Sequence, residues 1–417
     1  MQRSTRRSAQ LPGDTARVQN GIGHVPRPGA ENRAADKHRT PGSGRNREGV
    51  FVVGQFVLWL SLVAPAAGAV GLRQGEAAVL ERLPMARRTF LLGLGFHPAH
   101  REGETPADLQ RALAEAMERA GRHAELTSHW VVDVPWYEQW EQHYTRPSLA
   151  RRKAYFELLA SRYGLRPIFN MNFWDLVRQP PRGVVLRLVV PPDLAAETTL
   201  ASPAFRRRWI REARRIAAAF QPAYFSLGNE IDSFYHYSHS HKQQFDHYVS
   251  LVAETYDAVK QVSPQTRVMV VFRYVEMRAR KGYDLVTKFD RKKIDLFGFT
   301  TYPRFADPAD IPDAYYRPIV DRVGKVPIAF TEIGWPTPPG DPKAPQRQAD
   351  FLRWFLRQTE GMNVELIAWP FLHDLAAPDK PGPRSVHCGL IDYYGRPKPA
   401  WALWQKLSAL PLVKRAN

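Results

Sequence analysis

From about Thr89 onward, short apolar runs alternate with longer segments of helical period, and this alternation constrains the fold more than any other feature of the chain. Eight runs read as strands: Phe90–Leu94, Ala124–Val132, Pro167–Met171, Ala223–Leu227, Val268–Phe272, Leu296–Thr300, Ile328–Thr331 and Leu366–Trp369. The helices between them have legible ends. Thr105-Pro106 and Ser202-Pro203 each offer a cap followed by a first-turn proline, and Phe205, Trp209, Ile216 and Phe220 share one face of the helix that Ser202 opens. Gly164 closes a helix carrying Tyr155, Phe156, Leu159 and Tyr163. Eight such units predict one α/β domain over 88–410, a (β/α)8 TIM barrel. A doubly wound sheet usually has fewer strands and a Gly-rich phosphate loop, whereas Gly93-Leu94-Gly95 does not continue as G-x-G-x-x-G. No cofactor is expected.

The chain ahead of the barrel divides in two. Residues 1–49 are rich in Arg, Gly, Pro, Ser and Asn and nearly devoid of large apolar side chains, so they cannot repay the entropy of folding and are expected to be a disordered basic leader. A translation start nearer Val50 would remove that leader altogether. Residues 50–71 are uncharged and apolar, with Phe51, Phe56, Leu58, Trp59, Leu60 and Leu62. They read as a signal peptide, ending at an Ala67-Gly68-Ala69 cleavage site, or as an uncleaved signal anchor. Cleavage is preferred because the run past Leu62 is small and broken at Pro65. Either way the barrel is expected to be secreted, periplasmic or anchored outside the cytoplasmic membrane, touching a membrane only through this segment.

The net charge of +18 invites a nucleic-acid reading. The first 49 residues hold ten Lys/Arg against four Asp/Glu, which accounts for six of those charges. Much of the remainder sits on one helix, at Arg206, Arg207, Arg208, Arg211, Arg214 and Arg215, without interleaved aromatics along a strand face. A solvated face is expected, and no nucleic-acid partner. Cys388 is the single cysteine, so an intrachain disulfide is impossible; it reads as packing.

In a barrel of this kind chemistry sits where strands end and βα loops begin. Two glutamates occupy such places. The fourth strand runs Tyr224-Phe225-Ser226-Leu227-Gly228-Asn229-Glu230, and the seventh runs Ile328-Ala329-Phe330-Thr331-Glu332-Ile333-Gly334-Trp335-Pro336. Hydrolysing a glycosidic bond through a covalent intermediate takes one protonated and one ionised carboxyl group, on opposite faces of the sugar and about 5–5.5 Å apart. An Asn-Glu dipeptide alone carries no weight; the conjunction of the two strand ends does.

On these residues the segment from about Thr89 to Leu410 resembles clan A of the glycoside hydrolases, whose members carry Asn-Glu after the fourth strand and a second Glu after the seventh. The stretch Thr331-Glu332-Ile333-Gly334-Trp335-Pro336 is similar to the corresponding part of β-1,3-glucanases and arabinogalactan endo-β-1,4-galactanases. Gly389-Leu390-Ile391-Asp392 and Gly395-Arg396-Pro397-Lys398-Pro399-Ala400-Trp401 resemble the ending of many clan members. The resemblance implies a retaining, endo-acting hydrolase of a β-linked polysaccharide or oligosaccharide, with Glu230 as acid/base and Glu332 as nucleophile. It further implies that Asn229 binds a sugar hydroxyl, that Tyr302 in Thr301-Tyr302-Pro303 holds the nucleophile, and that Trp369 floors the cleft. An arginine that some clan families place after the second strand has no evident counterpart.

Other residues near strand ends are candidate sugar contacts: His97, Asp133, Trp136, Asn172, Trp174 and Trp335. Trp130, Tyr137 and Trp140 could stack on sugars or pack their own loop. His236, His239 and His241 superficially suggest a metal, but loop histidines without Cys or spaced carboxylate partners are a weak signal, and no metal is expected. The competing readings are a carbohydrate-binding or envelope-assembly protein that kept the barrel and lost the chemistry, and an inverting or metal-assisted hydrolase built on the histidine run.

Overall fold

The computed structural model describes residues 83–98, 103–128, 134–136, 146–179, 183–237, 241–379 and 384–413. The leader 1–49, the apolar segment 50–71, and Trp130, Asp133, Tyr137, Trp140 and His239 lie outside them. Among the described residues no helix is long and apolar enough to cross a membrane.

Among the described residues there are ten strands: β1 (Leu91–Leu94), β2 (Leu126–Ser128), β3 (Arg166–Asn170), β4 (Trp174–Gln179), β5 (Gly183–Leu188), β6 (Tyr224–Ser226), β7 (Arg267–Arg273), β8 (Leu296–Thr301), β9 (Ile328–Ile333) and β10 (Val364–Trp369). Eight of them close a parallel barrel in the order β1-β10-β9-β8-β7-β6-β3-β2, sealed where Leu91 to Leu94 pair with Leu366 to Trp369. These are the eight apolar runs, with the barrel's fourth strand being β6 and its seventh β9. The antiparallel hairpin β4-β5 is an addition in the loop after β3 that the strand count did not anticipate.

Period-two alternation explains the two cores. Leu126, Ile168, Tyr224, Met269, Val271, Leu296, Ala329, Leu366 and Ala368 fill the barrel interior. Their neighbours in sequence, such as Phe169, Phe225, Val270, Phe297 and Ile367, face outward into the helix layer. Full burial of a side chain of this size stabilises by about 1.5–3 kcal/mol, so the barrel is held by many such contributions.

The helices dock as their sequences dictate. Helix α1 (Pro106–His123) starts with a full capping box between Thr105 and Asp108, and α2 (Arg146–Tyr163) ends before Gly164 at φ +68°. Helix α3 (Pro203–Phe220) buries Phe205, Trp209, Ala213, Ile216 and Ala217, while Ser202 makes no side-chain cap bond into it. The arginines of α3 converge on acidic partners. Glu212 is buried within 3.6 Å of Arg208, Arg211 and Arg215, and Arg206 bonds to Glu254 on the following long helix. After β6 come α4 (Ile231–Tyr237) and that long helix, α5 (His241–Val262); α6 (Tyr274–Arg280) follows β7, α7 (Arg317–Val323) follows β8, α8 (Ala344–Thr359) follows β9 and α9 (Pro399–Ser408) completes the ring.

Candidate active site

The first carboxylate is set by a turn that only glycine can make. Past Ser226 the chain runs through Gly228 and Asn229 to Glu230 and then into α4. A Cβ on Gly228 would lie 2.3 Å from the Tyr248 hydroxyl and 2.6 Å from Ile231 Cγ2, so any side chain there would displace the turn. Tyr248 instead donates to the Leu227 carbonyl at 2.8 Å. Glu230 itself is left-handed, with φ +47°. Such a conformation costs a non-glycine residue on the order of 1–3 kcal/mol and is retained where the surroundings over-determine it. Its carboxylate accepts from Thr300 Oγ1 at 2.7 Å, and Arg273 Nε stands 3.8 Å from the other oxygen.

The second carboxylate is aimed by a bulge. Along β8 and β9, Phe299 pairs with Phe330, but the next pair is Thr300 with Glu332, leaving Thr331 as the extra residue. A bulge of this kind bends the strand and re-aims the side chain that follows. Tyr302 donates its hydroxyl to Glu332 Oε2 at 2.6 Å. Its ring can lie there because residue 334 is glycine: a Cβ would meet Tyr302 Cε1 at 2.6 Å. The register pairs Arg273 with Thr300 and Thr300 with Glu332, so the three stand in one row across β7, β8 and β9.

Burial and the facing Glu230 carboxylate push Glu332 up to about 8, against Tyr302 and Arg273, which favour its ionised form. Tyr302 is pushed well above the usual phenol range by burial and by Glu332, so it remains an O–H donor.

A second group of polar atoms follows the ends of β3 and β6. Asn170 ends β3 and pairs with Ser226 of β6. Asn170 Oδ1, Asn172 Oδ1, Asn229 Oδ1 and Trp174 Nε1 are all buried without a protein hydrogen bond. The Asn172 amide reaches only the Trp174 carbonyl, at 3.4 Å. Leaving a buried polar atom unpaired costs about 1–3 kcal/mol, so four together make a surface that a hydroxylated ligand would satisfy.

Three aromatics expected at the cleft are packing residues. Trp369 is wholly buried, donates Nε1 to the Cys388 carbonyl at 2.8 Å and meets Trp404 edge-on, because the 388–391 segment folds over it. Trp335 is 4% exposed and stacks on Phe351. Trp136 donates to the Val189 carbonyl at 3.0 Å and packs edge-on against Phe205 and Trp209, tying down the base of the hairpin. His97 follows β1 with its carbonyl 3.4 Å from His373 Nδ1, and burial lowers its proton affinity, keeping it neutral. Of the tyrosines beyond Glu230, Tyr237 donates to Glu276 on α6 at 2.9 Å. Asp374 is bonded to Lys398 and to the Gly389 amide, which pins the closing loop to the start of α9. Among the described residues no group of His, Cys, Asp or Glu could hold a metal ion.

Arg273, Thr300 and Asp232 were missed. Arg273 and Thr300 carry the same signal that exposed the glutamates, a polar residue directly after an apolar strand. Asp232 carries none.

The sequence model of glycosyl hydrolase family 53 matches residues 215–349, the part of the chain that holds Glu230, Arg273, Tyr302 and Glu332. No curated protein matches the sequence. Among solved structures, the fold resembles an exo-β-1,4-mannosidase from Opitutaceae bacterium strain TAV5, with a TM-score of 0.55 and 16% identity over 77% of this chain and 59% of that one. The chain thus spans less than two thirds of the mannosidase. A GH5_18 protein from Bifidobacterium longum subsp. infantis has a TM-score of 0.53 at 14% identity, covering 80% of this chain and 81% of its own. A β-glucosidase mutant derived from a hyperthermophilic tetrameric structure scores 0.52 at 14% identity, covering 80% and 97%. At these identities the likeness is one of fold. The family 53 match spans strands β6 to β9 of a closed (β/α)8 barrel, so the likeness falls on the part of the chain that carries Glu230 and Glu332.

Proposed function

We propose that this enzyme is a retaining β-glycosidase acting by double displacement. The observation that carries this reading is the carboxylate pair: two glutamates at the ends of β6 and β9, each with its own hydroxyl donor. In the first step Glu332 attacks the anomeric carbon as the glycosidic bond breaks, and Glu230 gives its proton to the departing oxygen. The product is a glycosyl ester on Glu332 and an ionised Glu230. In the second step Glu230 takes a proton from water, whose oxygen displaces Glu332 from the same carbon and restores the starting state. Tyr302 favours the ionised nucleophile, and Asn229, Asn170, Asn172 and Trp174 supply unpaired groups for the sugar hydroxyls.

The substrate in this reading is a β-linked polysaccharide or oligosaccharide cut within the chain, outside the cytoplasm. Likeness to the endo-β-1,4-galactanases at the Glu332 segment supports internal cleavage. Reducing-end release across β-1,4-galactan, β-1,3-glucan, β-mannan and xylan, beside Glu332→Ala, tests the assignment. One glycan should be cut, with the β-anomer formed first. An α-anomer would exclude retention; monosaccharide as the sole early product would exclude internal cleavage; binding without turnover would favour a carbohydrate-binding protein instead.

A further inference from the structure

The arginine that some clan families place after the second strand has no evident counterpart here, but a guanidinium reaches the acid/base from the opposite flank. Arg273 is the last residue of β7, in register with Thr300 and, through it, with Glu332. Its backbone N–H donates to Asp232 Oδ1 at 2.6 Å, and Asp232 is wholly buried two residues beyond Glu230. That bond clips the end of β7 to the turn carrying Glu230, so the two side chains share one frame. Glu276, the other nearby carboxylate, is already bonded to Arg280 and Tyr237. Yet Arg273 and Glu230 do not form a closed pair: their separation is 3.8 Å, beyond hydrogen-bond reach, and the arginine side chain is 37% exposed.

We propose that Arg273 is the electrostatic partner of Glu230 that stabilises this residue at the moment its proton leaves, a role resting on the double-displacement reading. Before the first step, in this reading, the negative charge is on Glu332, whose ionised form Arg273 already favours, and Glu230 offers the arginine no charge to close upon. As the carbon–oxygen bond breaks, the charge on Glu332 is consumed in the ester, and an equal charge appears on Glu230, beside Arg273. A loosely held guanidinium can then close on the new carboxylate. Such an interaction is stronger in the transition state than in the ground state, the condition for it to accelerate the step. The same stabilisation makes Glu230 a weaker base toward water, so Arg273 assists the first step rather than the second.

The test is leaving-group dependence, which a purely structural role would not alter. With aryl glycosides of the sugar that the enzyme accepts, Arg273→Met should lower kcat/KM about 10–100-fold for a phenyl leaving group, which needs the proton. The loss should be only a few-fold for 2,4-dinitrophenyl, which departs without it. Arg273→Lys should restore part of the phenyl rate. Equal losses on both substrates, or none on either, would overturn the proposal while leaving the glycosidase reading intact. Failure of the unaltered enzyme to turn over any aryl β-glycoside or glycan would sink that reading, and the proposal with it.

Discussion

Strand β7 carries an arginine at each end, and the two are used in opposite ways. At the base of the barrel Arg267 donates to Glu365 at 2.6 Å, and Tyr224 donates to the same carboxylate at 3.0 Å. At the mouth Arg273 stands 3.8 Å from Glu230, which is itself left-handed and faces a carboxyl group pushed up to about 8. At the base the Arg267–Glu365 pair closes at hydrogen-bond distance; at the mouth four buried polar atoms stand unpaired and one arginine is loosely held. A barrel's base serves stability and its mouth serves chemistry, and the cost of keeping the mouth open is met by the surrounding core.

Substitutions at the two ends sharpen that contrast. The largest effect is expected at Tyr302→Phe, which removes the donor that favours ionised Glu332: kcat should fall about 10²-fold or more, a loss comparable to that of an oxyanion donor. Glu332 should also hold its proton more tightly, moving the rise in activity on the acid side to higher pH; an unmoved limb would mean that Tyr302 only packs.

A smaller and opposite effect is expected on stability. Glu332 has a raised folded value, so the folded state binds its proton more tightly than the unfolded chain, and stability is lost as pH rises from the usual carboxylate range toward about 8. Glu332→Gln cannot ionise and should escape that loss. Its Tm should exceed the parent's by about 2–4 °C near pH 8, with the gap closing below pH 5. A constant gap across that range would mean that the carboxyl group is not strained in the fold.

The smallest effect is at the base. The Arg267–Glu365 pair is partly exposed, at 38% and 25%, so Arg267→Ala should cost only about 0.5–1 kcal/mol. Turnover per folded molecule should be unchanged, and a loss of kcat exceeding the loss of folded protein would break the distinction between the two ends.

What the sequence by itself determined is the barrel and its two glutamates. Strands buried on both faces read as continuous apolar runs, and a charged residue directly after such a run, as at Glu230 and Glu332, is visible without coordinates. What only the tertiary structure decided is which neighbours meet those carboxylates and which large rings see solvent. Trp369 reads as a cleft floor from its strand, yet the 388–391 segment, far along the chain, covers it. Trp335 is claimed by Phe351 on the next helix, and Trp136 by the base of a hairpin that the count of eight strands left out. Arg273 and Thr300 become partners of Glu230 only through register across β7, β8 and β9, with Thr331 supplying the extra residue that aims Glu332. Apolar periodicity is local and written in neighbouring residues; exposure and register depend on contacts between segments tens of residues apart, which no local pattern encodes.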